Sequence, residues 1–322
     1  MFNPERLRQH AISKRWRRKM AILNLDNNVK ITTFTPPAGF DPLTASPEAA
    51  VQAGFPARPT DPILLQRYQR FFGRTKGKFQ YIQPTFRVDP TKSTHTNKGA
   101  SNAGTETYDN WSGGVVYAPK GQSFKWVQGD WTVPNVYPPG QNKWYYCANW
   151  IGLDGDGSGD VCQAGMICSV YQSGSSITRS IYPWHEWYPS SWVEITNLTI
   201  NPGDLVTMLI CTAQGAGSTS ATIYFGNQTS GISTSYTITA PAGTKLAGNS
   251  AEWIVETPVV NGVLTQMPDY GEVFFSTCDA GLTNGTTVSG GTGNNINLVQ
   301  GGATVSTGAL ITPNVIQCQY AA

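Results

Sequence analysis

Charge is scarce in this chain: of 322 residues only 13% are Asp, Glu, Lys or Arg, and only three are histidine. A disordered polymer needs high net charge and low hydrophobicity, so this composition points to a folded protein. No stretch approaches the ~20 apolar residues of a transmembrane helix, and a membrane partner is not expected. There is no Cys-x-x-Cys, and beyond residue 100 the only histidine is His185. A zinc site is therefore not expected, and no cofactor is. Neither Gly-x-Ser-x-Gly nor His-Glu-x-x-His occurs, which removes the serine-triad and zinc-peptidase readings.

What the chain does contain is glycine (34), tryptophan (10) and tyrosine (14), with abundant Ser and Thr. Beyond Trp111 it breaks into short alternating or apolar runs between turn signals. Examples are 114–117, 123–128, 144–152, 198–200, 205–211, 221–225, 235–239, 252–256, 272–276 and 309–311. Many short strands with no long helical pattern predict an all-β sandwich of two antiparallel sheets. No internal repeat at a fixed period is present.

The net charge of +2 conceals two opposite pieces. Residues 1–100 carry 17 Lys/Arg against 6 Asp/Glu, or +11, and the remainder carries 5 against 14, or −9. Residues 1–30 read as a basic tail centred on Lys14–Lys19, solvated rather than bound to nucleic acid. In 31–104, Ser46-Pro47 and Asp61-Pro62 read as two helix starts. Leu64, Leu65, Tyr68, Phe71 and Phe72 form the apolar stripe of the second helix, which ends at Gly73. Two short helices cannot bury a core alone, so they are expected to dock on something else. Residues 75–105 read as a polar linker open to nicking, and 105–322 as the main β domain.

All six cysteines lie in the acidic piece, an even count that suits disulfides and an oxidising compartment. Four Asn-x-Ser/Thr sequons occur, at Asn110, Asn197, Asn227 and Asn284. A secreted protein is the expectation from both features. Against it, residues 1–28 offer only the short apolar patch 20–25, below the 7–15 residues of a secretory signal core.

The residues that could carry chemistry begin with Ala251–Glu256, which reads as a strand placing Glu252, Ile254 and Glu256 on one face. Glutamates on the solvated face of a sheet are the ordinary form of that pattern. Two further segments gather acids and aromatics: Trp150-Ile-Gly-Leu-Asp-Gly-Asp156 and Trp184-His-Glu-Trp-Tyr-Pro189. Gln163 alternates away from Cys162 and Ala164, while His185 alternates away from Trp184 and Glu186 and reads as structural. Asp154 and Asp156 between glycines also fit turns.

Six motifs, in order, resemble those of the glutamic peptidases, or eqolisins. They are Asn-Trp-Ser-Gly-Gly (110–114), Trp-Thr-Val-Pro (131–134), Trp-Ile-Gly-Leu-Asp-Gly (150–155), Gln-Ala-Gly (163–165), His-Glu-Trp-Tyr-Pro (185–189) and Ala-Glu-Trp-Ile-Val-Glu (251–256). The segment from Pro37 to Phe72 also looks like the N-terminal part of precursors in that family. The resemblance implies a concanavalin A-like β-sandwich and a pepstatin-insensitive acid endopeptidase acting on polypeptides, expected to be monomeric. Its catalytic pair would fall on Gln163 and Glu256, with Trp150, Asp154, Trp184 and Glu186 lining or supporting the cleft. Cys162 departs from the family's apolar residue before the glutamine, and the loop 156–163 differs.

Such a pair suits amide hydrolysis, because a glutamate can take a proton from water and a carboxamide N–H can stabilise the oxyanion. The basic residues 31–104 then read as an inhibitory prosegment held on the acidic domain by complementary charge. Two alternatives use the same features. A glycoside hydrolase could pair Glu252 or Glu186 with Glu256, and a carbohydrate-binding protein would need only the tryptophan-lined sandwich.

Overall fold

The computed structural model describes residues 21–25, 28–60, 62–73, 80–93, 98–102 and 104–322. The basic run Lys14–Lys19 lies outside them. No helix among the described residues is long and apolar enough to cross a membrane.

The alternating runs fold into two stacked sheets. The first is antiparallel throughout, in the order Phe86–Asp89, Trp192–Ile195, Ser176–Tyr188, Val161–Ser173, Trp144–Asp154, Ser250–Glu256, Trp111–Tyr117. The second runs Glu272–Leu282, Phe124–Thr132, Leu205–Thr212, Ser220–Asn227, Ile232–Thr239. Alternate residues of each strand, such as Ile151, Leu153, Trp253 and Val255 against Val127, Met208, Ile210 and Phe225, close the core between the sheets. Along one side the sheets join through Val315–Tyr320, Ala303–Thr312 and Asn294–Gln300. The opposite face of the first sheet carries a separate aromatic cluster with Trp111, Trp150, Trp184, Trp192 and Ile254.

Both expected helices form. Pro47–Gln52 starts at Ser46, whose side chain accepts from the Ala49 N–H, and Gly54 leaves that region with φ +84. Pro62–Gly73 brings Tyr68, Phe71 and Phe72 together with Phe55 onto Leu209 and Tyr224. Because Met208 and Ile210 point into the core, Leu209 points outward; the helices therefore cover the outer face of the second sheet.

Three expectations need correction. Residues 80–93 are not a loose linker: Gln80–Tyr81 pairs with Ile232–Ser233, Phe86–Asp89 with Trp192–Ile195, and Lys92–Ser93 with Val259–Val260. The period-two alternation of Phe86 and Val88 with Arg87 and Asp89, bounded by Pro84 and Pro90, makes a short edge strand that its charges disguised. Residues 198–200 are partly buried but join no ladder. The six cysteines are free thiols. Cys147 and Cys168 stand opposite each other, yet Cys147 accepts from Asn149 Nδ2 at 3.2 Å and burial pushes its pKa up to about 12. Among the sequons, Asn110 and Asn227 are completely buried, which leaves Asn197 and Asn284 at the surface.

Candidate active site

The site lies on the outer face of the first sheet, where every second residue of four adjacent strands points the same way. Gln163 stands opposite Glu186 on one side and Gly152 on the other. Glu252, Ile254 and Glu256 share that face with Trp150, as their alternation predicts, while Trp253 and Val255 enter the core. The glutamates are not on a solvated face: both are completely buried.

Gln163 Nε2 donates to Glu186 Oε2 at 2.7 Å. Glu256 is gripped at both oxygens, Oε2 accepting from the Trp150 indole N–H at 2.7 Å and Oε1 from Asn110 Nδ2 at 3.2 Å. Glu186 is close enough to Glu256 for its charge to act on it. Burial first, and Glu186 second, hold the Glu256 carboxyl well above the usual carboxylate range, and the bonds from Trp150 and Asn110 offset this only in part. Gln163, Glu186 and Glu256 each have 0% of their surface exposed, so the described form is closed to a substrate.

Tryptophans build the walls, and glycines make room for them. Trp184 stacks on Trp192 with ring centroids 3.8 Å apart and planes within 2°, and Trp111 meets Trp150 edge-on at 4.9 Å. A Cβ on Gly152 would sit 2.8 Å from the Trp150 ring, and one on Gly165 would sit 2.1 Å from the Asn149 carbonyl oxygen. Two glycines thus let the indole lie against the sheet and reach Glu256.

The remaining candidates support this arrangement from outside it. Asp154, at φ +68, accepts from the Ala247 N–H at 2.6 Å and the Asn249 N–H at 2.9 Å, which fixes the loop leading into the Glu256 strand. Burial pushes its pKa up to about 6. Asp156 is also buried, and its Oδ2 accepts from the Tyr117 hydroxyl at 2.5 Å. Glu252 lies near Asp154 and Asp156; burial foremost, and then their charges, hold its carboxyl well above the usual range. His185 is on the core side, where its Nδ1 lies 3.0 Å from the Tyr236 hydroxyl.

Asn110 was legible as a sequon and as the first residue of the 110–114 motif, but not as a partner of Glu256. Among the described residues no cluster of His, Cys, Asp and Glu could hold a metal ion. The carboxamide–carboxylate set can instead activate a water and stabilise an oxyanion without a metal.

Residues 109–320 match the sequence model of the Peptidase A4 family. Aspergillopepsin-2 of Aspergillus niger is 29% identical over 249 residues, covering 70% of this chain and 82% of its own length. Scytalidopepsin B of Scytalidium lignicola is 29% identical over 147 residues, covering 46% of this chain and 51% of its own. A crystal structure of scytalido-glutamic peptidase with a transition state analog inhibitor superposes with a TM-score of 0.56 at 21% identity, spanning 66% of this chain and 98% of that one. That last likeness speaks to the fold, a sandwich of the same kind.

Proposed function

The chain belongs to the Peptidase A4 family and is a glutamic-type peptidase; from that premise we propose that Gln163 and Glu256 are its catalytic pair. The supporting observation is that Glu186 adjoins both: it holds one N–H of the Gln163 carboxamide at 2.7 Å and stands within charge range of Glu256. A primary amide has two N–H donors, so the carboxamide can be oriented by Glu186 and also donate to a substrate oxygen.

Once the face opens, water and a peptide carbonyl enter between the pair. Glu256 as carboxylate takes a proton from the water, whose oxygen bonds to the carbonyl carbon. The carbonyl oxygen becomes an oxyanion and accepts an N–H of the Gln163 carboxamide. The C–N bond then breaks, and the Glu256 carboxylic acid returns its proton to the leaving amine. Trp150 and Asn110 aim the carboxyl throughout. Entry of water lowers the desolvation that raises the Glu256 pKa, so its carboxylate form becomes available in more acidic solution.

Residues 31–104 are proposed as an inhibitory prosegment of the domain 105–322. Its cations reach domain carboxylates: Arg87 pairs with Glu194, and Arg67 Nη1 lies 3.4 Å from Asp279 Oδ2. A monomer is part of the proposal. Polypeptides are the substrates, and a secreted setting completes the proposal. The glycosidase alternative loses one of its pairs, since Glu252 and Glu256 are four residues apart on one strand, or about 13 Å, beyond the ~5–9.5 Å such carboxyl pairs require.

The test is hydrolysis of an unfolded protein from pH 2 to pH 8 by the chain and its Glu256→Ala and Gln163→Ala variants, with pepstatin present. Pepstatin-resistant cleavage in acid, lost in both variants, is the expected result. Cleavage that survives Glu256→Ala refutes the assignment.

A further inference from the structure

Resting on the peptidase reading, a second feature explains why the site is closed and what shape of ligand it takes. Phe86–Asp89 forms one margin of the first sheet. Lys98–Asn102 lies beyond the other margin, paired to Thr105–Tyr108, which in turn pairs with Asn294–Gln300 alongside Trp111–Tyr117.

Two contacts place Lys92–Ser93 over the face that carries Gln163, Glu186 and Glu256. Lys92–Ser93 pairs with Val259–Val260, the short strand that begins three residues after Glu256. Lys92 Nζ lies 5.9 Å from the centre of the Tyr182 ring, and Tyr182 shares its face with Trp184 and Glu186. The same ammonium is near enough to Tyr146, on the Trp150 face, to oppose the rise in that phenol's pKa. Asp89 fixes the turn, pairing with Lys92 and accepting from the Thr91 N–H at 3.1 Å. The helices, in contrast, sit on the outer face of the other sheet, a full sandwich thickness away.

We propose that residues 89–93 are a strap bound in the substrate cleft, and that this cleft recognises extended polypeptide. Val259–Val260 supplies main-chain pairing, and the Tyr182 ring receives a lysine side chain, now Lys92. An extended segment with a cation over an aromatic face is a recognised mode of peptide capture. It follows that the strap, and not the helical part of the N-terminal region, holds the enzyme closed.

The full chain carrying Glu256→Ala, which cannot cut itself, serves for amide hydrogen exchange, and the active chain for initial hydrolysis rates. Lys92→Gln is expected to speed exchange at Val259–Leu264 at least tenfold and to raise the initial rate of the intact chain by a similar factor. Phe72→Ala, in the helical part, is expected to leave both unchanged. The proposal is overturned if Lys92→Gln changes neither, or if Phe72→Ala changes both equally. Faster exchange in Lys92→Gln with no hydrolysis by any chain would keep the strap and reject the peptidase reading instead.

Discussion

Replacing His185 with asparagine should change how stability depends on pH far more than it changes stability at neutrality. The imidazole is completely enclosed between the sheets, with Nδ1 3.0 Å from the Tyr236 hydroxyl and its ring edge-on to Phe86 at 5.8 Å. Burial lowers its pKa from 6.5 to about 3. The folded state therefore binds fewer protons than the unfolded chain between those values. The stability contributed by neutral His185 is present above pH ~6.5 and is lost as pH falls toward 3. A shift of about 3.5 units corresponds to about 5 kcal/mol. Asparagine cannot titrate, so the variant lacks this loss. At pH 7 it should be weaker than the parent by about 1–3 kcal/mol, for the lost ring contacts. Toward pH 3 the gap should close and reverse. Urea unfolding followed by tryptophan fluorescence at pH 7, 5 and 3, with Glu256→Ala in both chains to prevent self-cleavage, measures it. A gap that stays constant from pH 7 to pH 3 refutes the reasoning.

Other outcomes follow from the site. Gln163→Ala should lower kcat by about 10²–10³ with little change in KM, as expected for a donor used in the transition state, and steady-state kinetics on a quenched peptide reads this directly. Glu186→Gln removes the charge that helps raise Glu256, so the acid limb of the kcat/KM profile should move to lower pH. An unmoved limb would separate Glu186 from Glu256. Gly152→Ala drives a methyl into the Trp150 ring, costing about 1–3 kcal/mol and displacing the indole from Glu256; thermal unfolding and kcat should fall together.

The sheet face bearing Gln163, Glu186 and Glu256 was legible because period-two alternation is rigid: once a strand is assigned, the side of each residue follows. Trp150 and Trp184 were legible as supports only through the motifs that resemble the family's. The role of residues 86–93 was hidden, because a four-residue edge strand with Arg and Asp on one side looks polar, and its partner Trp192–Ile195 is remote in sequence. The thiols were misjudged because an even cysteine count says nothing about side-chain direction, and here Cys147 and Cys168 are turned into the core with Asn149. Nor does local sequence reveal that Asn110 meets Glu256, a contact spanning 146 positions.

Titratable groups on the two sides of the first sheet act in opposite directions. On the core side His185 favours neutrality. On the catalytic side Asp154, Glu252 and Glu256 are all raised, chiefly by burial. A raised carboxyl stabilises the fold fully below its unfolded pKa, and that contribution is lost as pH rises through the folded value. For Asp154, moved from 3.8 to about 6, the loss is about 3 kcal/mol and is complete by neutrality. Glu252 and Glu256 continue it at higher pH. The stability curve should therefore be a dome with its maximum between pH 3 and 6, falling on the acid side through one imidazole and on the alkaline side through several carboxyls. Asp154→Asn should flatten the fall between pH 4 and pH 7 by about 3 kcal/mol relative to the parent, read by the same urea series. If that fall is unchanged in the variant, burial of Asp154 is not what ties this fold to acid.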